Sequence, residues 1–261
     1  MNKETPEHNA NKILQEYGIT SPEKLNLEEI ANAEYLIVEE SDLSNHLGRI
    51  NFAGDYGLIK IDNKIKESGQ KRFTIAHEMG HYFNERENNF FKTYKCTAED
   101  LLSLKINKRR EADANEFASE ILLPRPWFSE FIKKRKIDFE IIKEIAVRFN
   151  VSLTAAAIRY VEIGKFPVAL IMSTDGKVKW STTSQYFPNT WIPRGYAVRK
   201  DAAAYDYFNG KETQTCVDLV QASVWFGEDL RTREEVYYNE QNIVMKNYNS
   251  VLTLLWESEY R

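Results

Sequence analysis

The chain has 261 residues, with 43% hydrophobic and 28% charged side chains, a globular composition too apolar for a disordered tail and long enough for two ordinary domains. Thirty-five basic against thirty-nine acidic side chains leave a formal charge of -4, which excludes a global basic field for gripping nucleic acid or anionic lipid. Cys96 and Cys216 are too few and too far apart for a disulfide framework or a paired-cysteine metal site, and with no run of about 18 apolar residues neither export nor membrane spanning is expected; the expected location is the cytoplasm.

In chain order, the apolar spacing from Ala10 to Tyr17 predicts a helix, Ser21-Pro22-Glu23 a cap and first turn, and Tyr35 to Val38 a strand. Gly48 to Phe52 and Leu58 to Asp62 alternate apolar and polar residues about turn material at Gly54 to Gly57, which predicts a hairpin with an open outer edge. A helix is expected from Gln70 to Arg86, a loop from Glu87 to Lys95, and a second long helix from Asn107 to Leu122, stopped by Pro124 and Pro126. A basic helical stretch, Phe128 to Lys136, follows. Phe139 to Asn150 and Leu153 to Ile163 then flank a turn at Asn150-Val151-Ser152 in helix-turn-helix order. Val168 to Met172 and Val178 to Trp180 read as a hairpin about Asp175-Gly176, and Val251 to Trp256 as a final strand. Residues 166–261 hold four of the five tryptophans and eight of the fourteen tyrosines, aromatics better suited to a core than to a ligand pocket. The expected fold class is α+β in three parts: residues 1–125, a helical helix-turn-helix-like segment 126–164, and a mixed α/β domain 165–261.

Histidine is scarce, yet two of the four fall four residues apart in His77-Glu78-Met79-Gly80-His81, inside a predicted helix. Residues i and i+4 share a helical face, so two imidazoles can converge on one tetrahedral ion while Glu78 reaches the water beside it. Residue frequencies give roughly one chance match per hundred chains of this length. A catalytic zinc site needs a third protein ligand, and the next helix offers Glu111 and Asp113. Glu111 shares a stripe with Ala114, Asn115, Ala118, Ile121 and Leu122, whereas Asp113 lies with Glu116 and Glu120 on a face that solvation explains. A carboxylate on a buried stripe is costly unless paired or metal-bound, so Glu111 is the expected third ligand. Asn115, one turn on, is placed to accept from a ligand histidine N–H. Gly80, opposite the alanines at 112, 114 and 118, lets the two helices approach closely.

Arg72-Phe-Thr-Ile-Ala-His-Glu-Met-Gly-His81, Glu111-x-x-Ala-Asn-x-Phe-Ala118 and Leu122-Leu-Pro124 together resemble the ImmA/IrrE metallopeptidase family, over roughly residues 45–165. The resemblance implies a zincin-like, gluzincin-type endopeptidase domain at 1–125 with a small β-sheet. It puts the metal, zinc with manganese as the alternative, on His77, His81 and Glu111 and the general base at Glu78. It further implies that the substrate is a helix-turn-helix transcriptional repressor whose cleavage releases mobile-element or stress genes, and it hints at a GAF-like sensor fold at 165–261. Asn84 departs from many relatives, which carry a histidine there. An extended peptide is expected to join the sheet along Gly48–Phe52 or Leu58–Asp62. The oxyanion donor is unassigned, with Tyr82 and Tyr94 merely close in sequence. Leu153–Ile163 carries Arg159 as its one basic side chain, so packing or partner recognition is favoured over direct DNA binding. The rival reading is a non-catalytic metal-binding regulator that acts by binding a repressor or DNA. Neither reading has a membrane partner, and the oligomeric state is open.

Overall fold

A computed structural model describes residues 5–85, 93–97, 100, 109–188, 192–211, 216–226 and 236–258. They form two compact units, residues 1–131 with 144–156 and residues 132–143 with 157–261.

The first unit begins with α1 (Pro6–Glu16), where the Thr5 hydroxyl accepts from the His8 N–H, and α2 (Leu27–Ala33), where the Asn26 side chain accepts from the N–H groups of Glu28 and Glu29. Next come β1 (Leu36–Ser41), β2 (Gly48–Ala53), β3 (Tyr56–Asp62), α3 (Ser68–Glu85), β4 (Thr93–Cys96), α4 (Arg109–Leu122) and α5 (Arg125–Ile132). The expected hairpin is present, with β2 and β3 antiparallel in register from Gly48↔Ile61 to Ala53↔Tyr56. Its edges, however, are not open. The sheet order is β1-β3-β2-β4: β1 lies parallel to β3 and β4 antiparallel to β2, so neither expected docking edge is free. Local alternation shows which residues can form a strand but carries no record of distant partners, and β1 and β4 take both edges.

Part of the expected loop is also overturned. Residues 86–92 lie outside the described ones, but Thr93–Cys96 is a strand with Thr93 and Lys95 exposed and Cys96 buried. Pro126 does not merely stop a helix. It falls in the first turn of α5, where its missing N–H costs nothing, and α5 ends at Ile132, short of the expected basic stretch to Lys136; Lys134 has φ 61°.

Helices α6 (Phe139–Phe149) and α7 (Leu153–Ile163) flank Asn150, whose φ of 49° makes the expected turn. Arg159 on α7 is 6% exposed, which leaves that helix without a free cation for a phosphate.

The second unit is built on β5 (Val168–Thr174), β6 (Lys177–Thr183), α8 (Ala203–Phe208), β7 (Asp218–Gln221), α9 (Ala222–Phe226), β8 (Tyr237–Met245) and β9 (Ser250–Glu257). The sheet is antiparallel throughout, in the order β6-β5-β9-β8-β7. Asp175 and Gly176, at φ 50° and 74°, supply the left-handed pair that a two-residue hairpin turn requires. β5 and β9 are buried along nearly their whole length, and Phe187, Trp225 and Tyr238 join their core. Tyr205, Tyr207 and Phe208 pack against that core and also line an open hollow of about 410 Å³ beside the Asp175 turn. No helix among the described residues is long and apolar enough to cross a membrane. The chain is thus α+β, with two sheets and the His-Glu-x-x-His helix at the centre of the first unit.

Candidate metal centre

α3 is buried on every side from Thr74 to Tyr82, as befits a helix held between a sheet and a second helix. Two glycines create that fit. A Cβ at Gly80 would meet the Ala114 carbonyl oxygen at 2.9 Å and the Phe117 Cβ at 3.1 Å, so glycine is what lets α3 and α4 touch. A Cβ at Gly48, on β2, would collide with the Glu78 carboxylate, so the missing side chain is the space Glu78 occupies. The sequence pattern suggested the first role and gave no sign of the second.

His77, Glu78 and His81 are fully buried, and Glu111 on α4 is 4% exposed. The α4 face containing Glu111 turns toward α3 as helical phase requires. The Oε2 atom lies 3.4 Å from His77 Nε2 and 3.2 Å from His81 Nε2, while Oε1 faces the Arg110 guanidinium at 3.5 Å. Asn115 reaches the same centre. Its Nδ2 donates to the Asp100 carbonyl at 2.9 Å, which turns Oδ1 toward His77 Nδ1 at 2.8 Å. An amide oxygen only accepts, so Nδ1 of His77 carries the hydrogen and its Nε2 lone pair points inward.

Cys96 is the residue that sequence patterning did not bring to the site. Its Sγ, delivered by β4, lies 3.2 Å from His77 Nε2, 3.4 Å from His81 Nε2 and 3.9 Å from Glu111 Oε2. With 3.1 Å between the two Nε2 atoms, all six separations among these four donors fall between 3.1 and 3.9 Å. Four ligands placed tetrahedrally at zinc bond lengths would be about 3.3–3.8 Å apart. Nitrogen, oxygen and sulfur lone pairs converging in a buried space repel unless a cation or shared protons lie among them, so the donor set fits a divalent ion in size and chemistry. The inward-facing Tyr94-x-Cys96 alternation was the one sequence signal for this strand, and a buried cysteine is more often plain core.

The electrostatics follow from the burial. Burial pushes the Glu78 carboxyl up to about 7, against the opposing pull of His77 and the Cys96 thiol. Nδ1 of His81 has no hydrogen-bond partner among the described residues, and the Glu78 carboxylate none but the Cys96 thiol. Burial also works to raise Glu111, but the two imidazoles outweigh it and hold that carboxyl far below its usual range. The Cys96 thiol is pushed up by burial and by the nearby carboxylates, and burial lowers His81.

Other expected roles need correction or placement. Glu120 does not belong to a solvated acidic face. It is 2% exposed, and its Oε1 accepts from the Arg125 N–H at 3.0 Å and from Asn11 Nδ2 at 3.4 Å, tying α4 to α5 and α1. Helical phase assigned it to the surface because the pattern of one helix cannot show that α1 and the start of α5 cover that side. Tyr82 donates its hydroxyl to the Asp55 carbonyl at 2.7 Å and stacks on Phe52. The Tyr94 ring lies 5.4 Å from that of His81 with the Arg110 guanidinium 3.9 Å above it. Asn84 fills its position with two hydrogen bonds, donating to the Asp113 carbonyl and accepting from Asn9 Nδ2.

Residues 35–160 match the IrrE N-terminal-like domain family. Metallopeptidase ImmA of Bacillus subtilis is 28% identical over 161 residues, which span 61% of this chain and 86% of that protein. A tRNA-splicing ligase RtcB of Pyrococcus furiosus is 28% identical over 150 residues, but these make up 15% of that protein and carry no inference about ligation. In three dimensions, a Mycobacterium tuberculosis transcriptional regulator superposes with a TM-score of 0.61, covering 97% of this chain and 75% of that one; at 13% identity it speaks to fold alone. The family match spans β1 to α7 and takes in both the His-Glu-x-x-His helix and α4, so over residues 35–160 the chain is similar to the IrrE N-terminal-like domain and to metallopeptidase ImmA.

Proposed function

We propose that the protein is a zinc-dependent endopeptidase of the cytoplasm that cleaves a helix-turn-helix transcriptional repressor and so derepresses mobile-element or stress-response genes. The observation that carries the reading is the convergence of His77, His81 and Glu111 beside the fully buried carboxylate of Glu78. A purely structural zinc site has no use for a general base, and here Glu78 stands directly beside the converging donors.

In this reading His77, His81 and Glu111 hold the ion, and Asn115 fixes the His77 ring and its tautomer. The mixed imidazole and carboxylate donors suit zinc, with manganese as the alternative. When bound, the ion supplies Lewis acidity that polarises a peptide carbonyl and acidifies water. Glu78 takes the proton from the attacking water at its carboxylate and delivers it to the leaving nitrogen, and a carboxyl raised to about 7 can both accept and release it near neutral pH. Gly48 leaves room for the carboxylate to do so without displacing β2. The domain at 165–261 would supply the control that an appended sensor-like fold suggests.

The test is incubation with the small repressor encoded beside the gene, with zinc, with manganese and with chelator. A discrete metal-dependent cut is expected. No cut under any metal condition would favour a non-catalytic regulator that binds the repressor or DNA.

A further inference from the structure

We propose that Cys96 is a fourth protein ligand to the ion, carried on a detachable edge strand, so that the described arrangement is a latent state in which sulfur holds the position a catalytic water needs. The inference rests on the peptidase reading for its consequence but not for its geometry.

Three observations support it. First, Sγ completes the tetrahedron: it lies 3.2, 3.4 and 3.9 Å from the donors of His77, His81 and Glu111, which are 3.1–3.4 Å from one another, so it stands at a vertex and not in an outer layer. Second, the carboxylate of Glu78 is fully buried beside the thiol. A group able to receive the thiol proton is therefore already in place. On coordination the S–H bond breaks as the sulfur–metal bond forms, the proton passes to Glu78, and no electrons change hands.

Third, the strand that carries the sulfur has little sheet pairing to lose. β4 is four residues long and sits at the sheet edge, paired with β2 alone over Gly48↔Cys96 to Asn51↔Thr93. Short one-sided pairing is the least costly kind to detach. Withdrawal of β4 would free the β2 edge for an extended peptide and remove sulfur from the ion in one movement, coupling substrate entry to activation.

The test uses the full chain carrying Cys216→Ser, which leaves Cys96 as the single thiol, loaded with cobalt(II) in place of zinc. A thiolate-to-cobalt charge-transfer band in the near ultraviolet is expected, with one cobalt per chain. When Cys96→Ser is added, the band disappears, cobalt remains bound, and acetohydroxamate binds to the cobalt about tenfold tighter or more because no thiolate competes with it. No band in the Cys216→Ser chain overturns the assignment. A band without any gain in acetohydroxamate affinity overturns the latent state. The band itself requires no change at Cys96, so a variant that misfolds does not obscure the answer. Neither readout depends on cleavage: a band and an affinity gain in a protein that cuts no repressor would remove the peptidase reading and leave the fourth ligand standing.

Discussion

Each unit holds a buried glutamate, Glu78 at 0% and Glu240 at 2% exposure, whose carboxyl burial pushes up to about 7. Their surroundings differ. Glu240 lies in β8 with Oε2 accepting from the Ala203 N–H at 3.3 Å, and no histidine or cysteine is gathered about it among the described residues. Glu78 adjoins a histidine, faces a thiol and sits where four donors of three chemistries meet. A raised carboxyl therefore reports burial in both units, and only the convergent donors distinguish a site from a strained core position.

Exchanging each acid for its amide breaks that equivalence most sharply. Glu78→Gln is expected to slow peptide cleavage by between about a hundredfold and ten-thousandfold, with zinc affinity little changed, whereas Glu240→Gln leaves cleavage intact. Equal cleavage by Glu78→Gln and wild type would contradict the assigned role.

The converse effect falls on stability. A carboxyl whose folded pKa is raised from 4.5 to about 7 holds its proton more tightly in the folded chain. Its contribution is fully present below pH 4.5, is lost as pH rises toward about 7, and above that the ionised group opposes folding by up to about 3 kcal/mol. Glu240→Gln removes this penalty. The stability gain over wild type, measured by denaturant unfolding, should be small at pH 4.5 and largest at pH 8.5; a gain independent of pH would contradict burial of the ionised carboxylate as its cause.

A smaller effect is expected from the residue that holds His77. Asn115→Ala should weaken zinc binding by about tenfold to a hundredfold in a chelator competition, because the imidazole loses the acceptor that fixes its tautomer. Asn115→Asp retains an acceptor and should recover most of that loss. Gly48→Ala tests the opposite side of the site: it should impair cleavage by displacing the Glu78 carboxylate while leaving zinc affinity near that of wild type.

What the sequence disclosed divides along the same physical line. The meeting of His77, His81, Glu111 and Asn115 was readable because helical periodicity states which residues share a face, and two helix faces were enough to assemble them. Cys96 was not readable, because it enters through the pairing of β4 with β2, and strand partners leave no local trace. The same gap hid the pairing of the expected strand β1 with β3, the strand β4 along the other edge of the hairpin, and the cover over Glu120. In the second unit, the hairpin at Asp175-Gly176 was visible in its turn residues, whereas β7 and β8 had no such punctuation.

That α3 and α4 together hold one catalytic ion is the central claim, and zinc titration of the metal-free protein tests it most directly. One zinc per chain is expected for wild type and an affinity at least about tenfold weaker for Glu111→Ala, since the carboxylate is removed from the shared centre. Failure of the wild type to bind zinc, or an unchanged affinity in Glu111→Ala, would contradict it.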